Sequence, residues 1–351
     1  MTETCFAIPG DIDSPTGGYV YDRRLLALLP SFGVKARHIV LPGSFPSPAA
    51  KDLEAAMARL EATAPGATLL IDGLAYGAMP EAGLKAVKDG GRRIIALVHH
   101  PLALETGLPD ARREELGKSE RAALAIADQV IVTSPATERL LVSAYGVPKE
   151  RISVAMPGTD PAQRATGTGT PLQLLCVGAV VPRKGYDVLM EALSSLTDLD
   201  WRLNIAGALD RDARAVDALK AQIAVAKLEG RVTLPGVVVP ATLDRFYESA
   251  DLFVMPSRFE GYGMALAEAM ARGLPIICTT GGASAETVPD RAALKVPPDD
   301  AQALMRALET ALCDKRLRTR LADASWEHGR TLPTWNETAR RVAAAILDIA
   351  A

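Results

Sequence analysis

The 351-residue chain lacks several features that would assign it to a particular class of protein. Its formal net charge is −3, so it has no basic excess of the kind that nucleic-acid-binding proteins carry. Aromatic residues make up only 5%, while alanine and leucine are frequent, which favours many helices packed on sheets. The cysteines are few and scattered, with no Cys-x-x-Cys pair and no histidine spaced to complete a zinc site. We expect them to be buried thiols: Cys5, Cys176, Cys278 and Cys313.

Long apolar segments are missing as well. No apolar run approaches the roughly 18 residues that a membrane span needs. The first residues include an early acid, and their apolar run ends at Pro9, which does not match a secretory signal peptide. We therefore expect a soluble, cytoplasmic protein. The segment 112–121 mixes charges of both signs, so any membrane association is expected to be at most peripheral.

Length and hydrophobic pattern indicate two α/β domains. The chain is too long for one ordinary core, and its 48% hydrophobic and 23% charged residues are typical of a globular protein. Short apolar runs alternate with longer amphipathic segments, which predicts doubly wound parallel sheets. The predicted helices include 49–63, 112–127 and 187–196. The predicted strands are 69–71, 94–98, 129–132, 172–177, 202–206, 231–234, 252–255 and 275–278.

The best candidate for a domain boundary is a stretch at 163–171 that is rich in glycine and threonine and has no apolar periodicity. We predict an N-terminal Rossmann-like domain at 1–165 and a C-terminal one at 171–332. A break at Leu332-Pro333 precedes the final segment, 333–351, which is predicted as a helix. That helix could belong to either half, and it could pack back on the N-terminal domain.

The most informative segment, 251–277, predicts a strand, a loop, a helix and a second strand. Its loop would deliver Glu260 to the carboxyl end of a parallel strand, where α/β sheets bind ligands. Gly261 and Gly263 would let the backbone approach a ligand, and the helix N-terminus suits sugar hydroxyl groups or a diphosphate. Glu268, inside the helix, is well suited to accept two hydrogen bonds from a ribose diol.

A second candidate site lies near the start of the C-terminal half. The strand predicted at 172–177 ends at Gly178, a short loop presents Arg183 and Lys184, and Gly185 opens a helix. Two adjacent cations at a helix N-terminus can bind a diphosphate, the arginine as a fork and the lysine as a point charge.

The N-terminal half offers weaker signals. Gly17 and Gly18 form a predicted loop just before a helical run that starts at Val20. His99 and His100 follow a predicted strand, and a histidine there can donate a hydrogen bond to a sugar hydroxyl or position an acceptor. His99 follows the apolar run directly and is preferred, with His100 as the alternative.

The spacing of Glu260, Gly261, Tyr262, Gly263 and Glu268 resembles the paired-glutamate motif of retaining glycosyltransferases of the GT-B fold, particularly glycosyltransferase family 4. The resemblance implies two Rossmann-like α/β domains that face each other across a cleft. It places the first glutamate by the donor sugar and the second on the nucleotide ribose.

Two further segments resemble the same family. The run from Gly178 to Gly185 is similar to its Gly-x-x-x-x-Arg-Lys-Gly element, except that Ala179 stands where many members have arginine, so Arg183 and Lys184 would act alone on the diphosphate. The turn at 280–286 resembles a glycine-rich turn of the family that ends in glutamate, and both a donor contact and a plain turn remain open for it.

The resemblance implies a site without a metal ion. The catalytic residues would be His99, Arg183, Lys184 and Glu260. The donor-binding residues would be Gly17, Gly18, Gly178, Gly261, Tyr262, Gly263, Met264 and Glu268. Asp11 and Asp13 form an Asp-x-Asp sequence, but they precede the glycine pair, and we interpret the match as a coincidence.

The implied reaction is retaining transfer of a sugar from a nucleoside diphosphate, UDP- or GDP-linked, to a saccharide or a lipid-linked acceptor, with no other cofactor. Fixed cations and helix N-termini would stabilise the leaving diphosphate. A nucleotide-sugar epimerase and a non-catalytic sugar-nucleotide-binding protein are the alternatives. A dinucleotide-dependent oxidoreductase is disfavoured, because residues 10–18 do not supply Gly-x-Gly-x-x-Gly.

Overall fold

The computed structural model describes residues 3–350, which divide into two compact units. The first unit runs to Gly158 and also includes the final segment from Pro333, and the second unit is Thr159–Leu332. The division lies slightly before the stretch 163–171 that the sequence marks as a linker. That stretch packs within the second unit, where the N–H groups of Thr166 and Gly167 both donate to the carbonyl oxygen of Glu248 at 3.0 Å.

The first unit is built on a six-stranded parallel sheet. Its strands are β1 (Thr4–Pro9), β2 (Ala36–Leu41), β3 (Thr68–Asp72), β4 (Arg93–Val98), β5 (Gln129–Val132) and β6 (Ile152–Val154). They lie in the order β2-β1-β3-β4-β5-β6. The chain starts in β1, continues outward to β2 and returns to β3, so the order reverses between β1 and β3. Such a reversal opens a crevice at the carboxyl ends of the strands.

Helices connect these strands. They are α1 (Gly17–Leu28), α2 (Ala50–Glu61), α3 (Gly73–Tyr76), α4 (Glu81–Asp89), α5 (Asp110–Ile126) and α6 (Pro135–Tyr145). Side chains cap several of them: Thr16 accepts from the N–H of Tyr19, Asp72 from Leu74, and Ser134 from Thr137. A short 3₁₀ turn, Leu102–Leu104, follows β4.

The second unit repeats the architecture with a different strand order. Its strands are β7 (Leu172–Val177), β8 (Trp201–Ala206), β9 (Val232–Gly236), β10 (Leu252–Met255), β11 (Ile276–Thr279) and β12 (Ala293–Val296). They form a parallel sheet in the order β12-β11-β10-β7-β8-β9. This is the Rossmann order, and its reversal falls between β7 and β10.

Helices also connect the strands of the second unit and follow its last strand. They are α7 (Tyr186–Ser194), α8 (Ala213–Val225), α9 (Pro240–Ser249), α10 (Met264–Ala271), α11 (Ser284–Thr287), α12 (Ala301–Cys313) and α13 (Lys315–Gly329). Asp212, Asp300 and Asp314 accept hydrogen bonds from the first turns of α8, α12 and α13. Within residues 3–350, no helix carries an apolar stretch long enough to cross a bilayer.

The final helix, α14 (Trp335–Ala350), packs on the first unit. Thr338 Oγ1 donates to the carbonyl oxygen of Met156 at 2.7 Å, and the Trp335 ring meets Tyr21 edge-on with centroids 5.9 Å apart. A Cβ atom on Gly158 would lie 2.3 Å from the backbone nitrogen of Trp335, so only glycine fits beneath this helix.

Sequence patterns located the interior strands better than the outer ones. The bounds predicted for β5, β7 and β10 are confirmed. Strands β2, β6 and β12, which the sequence did not predict, lie at sheet edges and mix buried with half-buried or exposed residues. The interior strand β1, which is fully buried, was not predicted either. The expectation of buried cysteines holds for Cys5, Cys176 and Cys278 but is wrong for Cys313, which is exposed at the end of α12.

Candidate functional site

In the second unit, the residues singled out in the C-terminal half meet where the strand order reverses. Strands β7 and β10 pair directly, with Leu174 opposite Leu252 and Leu175 opposite Phe253. The loop after β7 carries Arg183 and Lys184, and the loop after β10 carries Glu260. Parallel neighbours release their loops at the same sheet edge, which is why residues far apart in sequence come together here.

The turn that carries the two cations is a 3₁₀ turn, Pro182–Lys184. It ends at Gly185, whose φ of +65° strongly favours glycine. A Cβ atom at Gly185 would also lie 2.2 Å from the carbonyl oxygen of Pro256. The N–H of Arg258 donates to the carbonyl oxygen of Arg183 at 2.8 Å, so the β10 loop holds the β7 loop through its backbone.

Glu260 is the charged centre of this cluster. Lys184 Nζ donates to its Oε1 at 2.7 Å, and Arg183 Nη1 lies 3.5 Å from the same oxygen. Burial by itself would raise the pKa of Glu260, but the charges of Lys184 and Arg183 outweigh it and lower the pKa to about 2. Glu260 is therefore ionised at neutral pH, and the three side chains together carry one net positive charge.

The glycines around the cluster and their neighbours differ in backbone conformation and in burial. Gly263 has a φ of +92° and precedes α10, which starts one residue later than the sequence predicted. A Cβ atom on Gly178 would lie 2.9 Å from Lys184 Cε, so this glycine leaves room for the lysine. Gly261 and Met264 are half-buried, and Tyr262 is buried with its carbonyl oxygen accepting from Thr287 Oγ1 at 2.6 Å.

Glu268 lies half-buried on α10, where Tyr247 donates its hydroxyl to Glu268 Oε2 at 2.7 Å. The guanidinium of Arg272 stacks 4.4 Å above the centroid of the Tyr247 ring. Burial raises the pKa of Glu268, against the lowering effects of the Tyr247 hydroxyl and the Arg272 charge. The sequence did not identify Tyr247, because a lone tyrosine near the end of a helix carries no motif.

The turn at 280–286 packs against the backbone of Glu260. Glu260 and Gly282 form a parallel bridge, and the N–H of Ala283 donates to the carbonyl oxygen of Glu260 at 2.8 Å. A Cβ atom on Gly282 would lie 2.3 Å from that carbonyl oxygen, which explains the glycine. The side chain of Glu286 is exposed.

In the first unit, Gly17 and Gly18 do not form the loop that the sequence predicted. Helix α1 begins at Gly17 with Thr16 as its N-cap, so both glycines lie in its first turn. Serine or threonine at the N-cap is a helix-start signal, and it outweighs the low helix propensity of glycine. A Cβ atom on Gly18 would lie 3.3 Å from His99 Cδ2, so Gly18 packs directly on this histidine.

His99 contacts two acids that the sequence did not identify. Its Nε2 lies 3.3 Å from Asp22 Oδ1 on α1 and 3.3 Å from Asp72 Oδ2 at the end of β3. Burial disfavours a charged imidazole, but the charges of Asp22 and Asp72 and their hydrogen bonds raise the pKa of His99 to about 10. Burial and the neighbouring Asp72 raise the pKa of Asp22 to about 7.

Asp22, Asp72 and His99 offer ligand atoms that lie within 4.8 Å of one another, a spacing at which a metal ion could be held. The sequence predicted no metal site. Asp11 and Asp13 are exposed, and Asp11 Oδ1 accepts from the N–H of Asp13 at 2.9 Å. The second histidine, His100, is half-buried with its Nε2 3.4 Å from Glu105 Oε2.

Two family models match this chain. Residues 171–314 match the model described as Glycosyl transferases group 1, and residues 33–163 match the model described as Glycosyltransferase Family 4. Together the matched ranges cover most of both units.

Curated relatives are similar over part of their length. The D-inositol 3-phosphate glycosyltransferase of an Arthrobacter species is 32% identical over 74% of this chain and 65% of that relative. The mannosylfructose-phosphate synthase of Agrobacterium fabrum is 29% identical over 62% of this chain and 52% of that relative. The chain thus spans about half to two thirds of the length of the curated relatives it matches.

Solved structures match the whole chain. Sucrose-phosphate synthase from Thermosynechococcus elongatus aligns with a TM-score of 0.83 and 21% identity, covering 99% of both chains. HepE of Anabaena in complex with UDP-glucose aligns with a TM-score of 0.79 and 18% identity, covering 99% of this chain and 100% of that one. These similarities confirm the predicted α/β fold of GT-B type.

Proposed function

Because this chain belongs to glycosyltransferase family 4, we propose that it is a retaining glycosyltransferase that moves a sugar from a nucleoside diphosphate to an acceptor hydroxyl group. The cluster of Arg183, Lys184 and Glu260 at the strand reversal carries the proposal. Its net positive charge lies at the carboxyl ends of β7 and β10, next to the start of α10. That combination suits a diphosphate.

The chemistry follows from where charge develops. When the bond between sugar and diphosphate breaks, negative charge grows on the diphosphate and the sugar becomes oxocarbenium-like. Lys184 and Arg183 are already fixed by Glu260 and by the β10 loop, so they can stabilise that charge without reorganising. Cations held in this way can replace a divalent metal ion as the stabiliser of the leaving group.

Glu260 acts as an acceptor of hydrogen bonds rather than as an acid. Its pKa of about 2 keeps it ionised throughout the neutral range, so it has no proton to give to the leaving group. A buried carboxylate of this kind can accept hydrogen bonds from sugar hydroxyl groups while it orients Lys184. The role of the first glutamate is thus binding of the donor sugar and placement of the cations.

Glu268 would bind the ribose of the donor. One of its oxygens, Oε2, accepts from Tyr247, and each carboxylate oxygen can accept more than one hydrogen bond. The Tyr247 hydroxyl and the Arg272 stack hold the carboxylate in one orientation, which leaves Oε1 to accept from a ribose hydroxyl.

Names of the similar proteins suggest the first substrates to assay. HepE was crystallised with UDP-glucose, so UDP-linked donors come first. The relatives include a D-inositol 3-phosphate glycosyltransferase and a mannosylfructose-phosphate synthase, so phosphorylated polyols and ketoses are the first acceptors.

The test is a thermal-shift panel of UDP-, GDP- and ADP-linked sugars, followed by nucleotide-release assays with each acceptor. We expect one donor class to raise the melting temperature and to release its nucleoside diphosphate only when an acceptor is present. Proton NMR of the product should show the anomeric configuration of the donor. Lys184→Ala should slow the release about 10²–10³-fold, whereas replacement of Lys220, an exposed lysine of α8, by alanine should leave it unchanged. An inverted product would contradict retention, and stabilisation by nucleotides without any turnover would favour a binding protein.

A further inference from the structure

Two buried carboxyl groups surround the ring of His99, and one of them has an oxygen that the fold does not use. Asp22 is 0% exposed, and its Oδ1 lies 3.3 Å from His99 Nε2. Its second oxygen, Oδ2, is buried and has no hydrogen-bond partner in the part of the chain that the structure describes. A buried, half-paired carboxyl group costs stability, and a purely structural position would be expected to hold an apolar or fully paired side chain.

Asp72 contacts the same nitrogen. Its Oδ2 lies 3.3 Å from His99 Nε2, while its Oδ1 accepts from the N–H of Leu74 at 2.8 Å and caps α3. The strand order explains the meeting. Asp72 ends β3, His99 follows β4, and Asp22 lies on the helix that follows β1, and these three strands are neighbours in the sheet.

The ring of His99 cannot easily turn. Tyr21 packs edge-on against it, with centroids 5.3 Å apart and planes at 84°, and Gly18 lies against Cδ2. Thr133 Oγ1 donates to the backbone carbonyl oxygen of His99 at 3.1 Å. Both carboxyl groups meet Nε2, and an ionised carboxylate can only accept a hydrogen bond, so Nε2 carries the proton when both acids are ionised. Nδ1 then remains for another partner.

The charges around His99 determine whether Nδ1 carries a proton. Two carboxyl groups beside one imidazole favour the imidazolium, in which both nitrogens carry a proton. The titratable groups that face the ring are Asp22, Asp72 and Tyr21, and the Tyr21 hydroxyl donates to the carbonyl oxygen of Ala155 at 2.9 Å. The pKa of about 10 for His99 agrees with this charge balance. An imidazolium can donate at Nδ1, but it cannot accept a proton as a general base.

We propose that Asp22 and Asp72 are positioning residues that fix His99 through Nε2, so that Nδ1–H donates a hydrogen bond to an oxygen of the bound substrate. The proposal rests on the proposed function for the identity of that substrate. What it assigns anew is the role of the two acids, which supply the charge and the orientation that make His99 a fixed donor.

Nitrogen NMR of the full-length protein tests the positioning without any substrate. The chain has four histidines, so ¹⁵N-histidine labelling gives few signals, and the His99→Gln variant identifies those of His99 by subtraction. We expect both ring nitrogens of His99 to show protonated shifts at pH 7.5. Asp22→Asn and Asp72→Asn keep the shape of each side chain, and asparagine still caps a helix, so both variants should fold. Each should lower the titration midpoint of His99 by about one pH unit or more.

A matched control comes from the opposite end of the same strand. Asp128 accepts from the N–H of Ile94 at the start of β4 and pairs with Lys88, so Asp128→Asn removes a carboxylate of the same unit without touching His99. It should leave the His99 signals unchanged. His99 signals that stay at their original shifts in both Asp22→Asn and Asp72→Asn would overturn the proposal.

Kinetics and a chelator test the remaining parts. With the donor found in the thermal-shift panel, Asp22→Asn and Asp72→Asn should lower kcat about 10- to 100-fold, the scale of a lost hydrogen bond to a charged group. Shifted NMR signals with unchanged kcat would overturn the donor role of Nδ1. A panel without any turnover would count against the proposed function, while NMR would still decide the positioning.

Dialysis against EDTA should leave the His99 signals in place, and a change would overturn the proposal in favour of a bound cation.

Discussion

Lys184 Nζ donates a hydrogen bond to Glu260 Oε1 over 2.7 Å, although the two residues are 76 positions apart in the chain. The pairing of β7 with β10 brings their loops to one edge of the sheet. The carboxylate fixes the ammonium, and the ammonium keeps the carboxylate ionised. The ammonium is thus held in place by an ionised partner, which is the condition for a preorganised charge.

Replacement of Lys184 should affect the transition state more than the ground state, because charge grows on the diphosphate as the bond breaks. Lys184→Ala should lower kcat about 10²–10³-fold, and the double variant with Arg183→Ala should be worse than either single one. Steady-state kinetics would measure this, with circular dichroism to confirm folding and Lys220→Ala as the control. An effect confined to KM in the double variant would mean that these residues only bind the donor.

Replacement of Glu268 and of Tyr247 should weaken nucleotide binding to different extents. Glu268→Ala removes the acceptor for a ribose hydroxyl and should weaken binding of the free nucleoside diphosphate by about 1–3 kcal/mol. Tyr247→Phe removes only the hydroxyl that orients Glu268 and should cost less. Titration calorimetry would measure both. Unchanged affinity in Glu268→Ala would exclude the ribose role.

The residues of the second unit were accessible to sequence reasoning because each follows a strong apolar strand. The run before Gly178 and the run before Glu260 both form central strands of the sheet, and parallel strands release their loops at one edge. What the sequence could not provide is the strand order. The direct contact of Lys184 with Glu260 depends on β7 and β10 being neighbours, which no local pattern encodes.

The acids beside His99 illustrate the same limit. Asp72 ends an apolar run and looks like an ordinary helix cap, and Asp22 is one polar residue in a mixed helix. Their meeting with His99 requires β1, β3 and β4 to be adjacent, and it requires α1 to begin at Gly17. Strand β2 was missed because Arg37 and His38 interrupt its apolar pattern.

A chelator distinguishes two possible functions of the cluster of Asp22, Asp72 and His99: a hydrogen-bond donor fixed by two acids, or a metal site. The diphosphate is expected to be stabilised by Lys184, Arg183 and the start of α10, so transferase activity should survive EDTA. Activity assays before and after dialysis, with added magnesium and manganese, would test this. Complete loss in chelator with recovery on addition of metal would show that an essential ion is bound, and Asp22, Asp72 and His99 would then be the first ligands to replace.

Glu120 gives the first unit a pH-dependent stability. The side chain is 1% exposed, and its Oε2 accepts from the N–H of Leu102 at 3.0 Å, in the turn that follows His99 and His100. Burial is the main cause that raises its pKa to about 8, against the opposing hydrogen bonds from Leu102 and Tyr145. In the unfolded chain a glutamate has a pKa of about 4.3.

The sign of the effect follows from proton binding. Between the unfolded pKa and the folded pKa of about 8, the folded state binds more protons than the unfolded state, so stability falls as pH rises through that window. Glu120→Gln keeps an acceptor for Leu102 but cannot ionise, so it should lack this decline. Between pH 5 and pH 8 the wild type should lose on the order of 3–4 kcal/mol more than the variant. Urea unfolding across that range would measure the difference, with the exposed Glu115→Gln of the same helix as the control. Parallel pH profiles for the wild type and Glu120→Gln would show that Glu120 is ionised in the folded protein across this range.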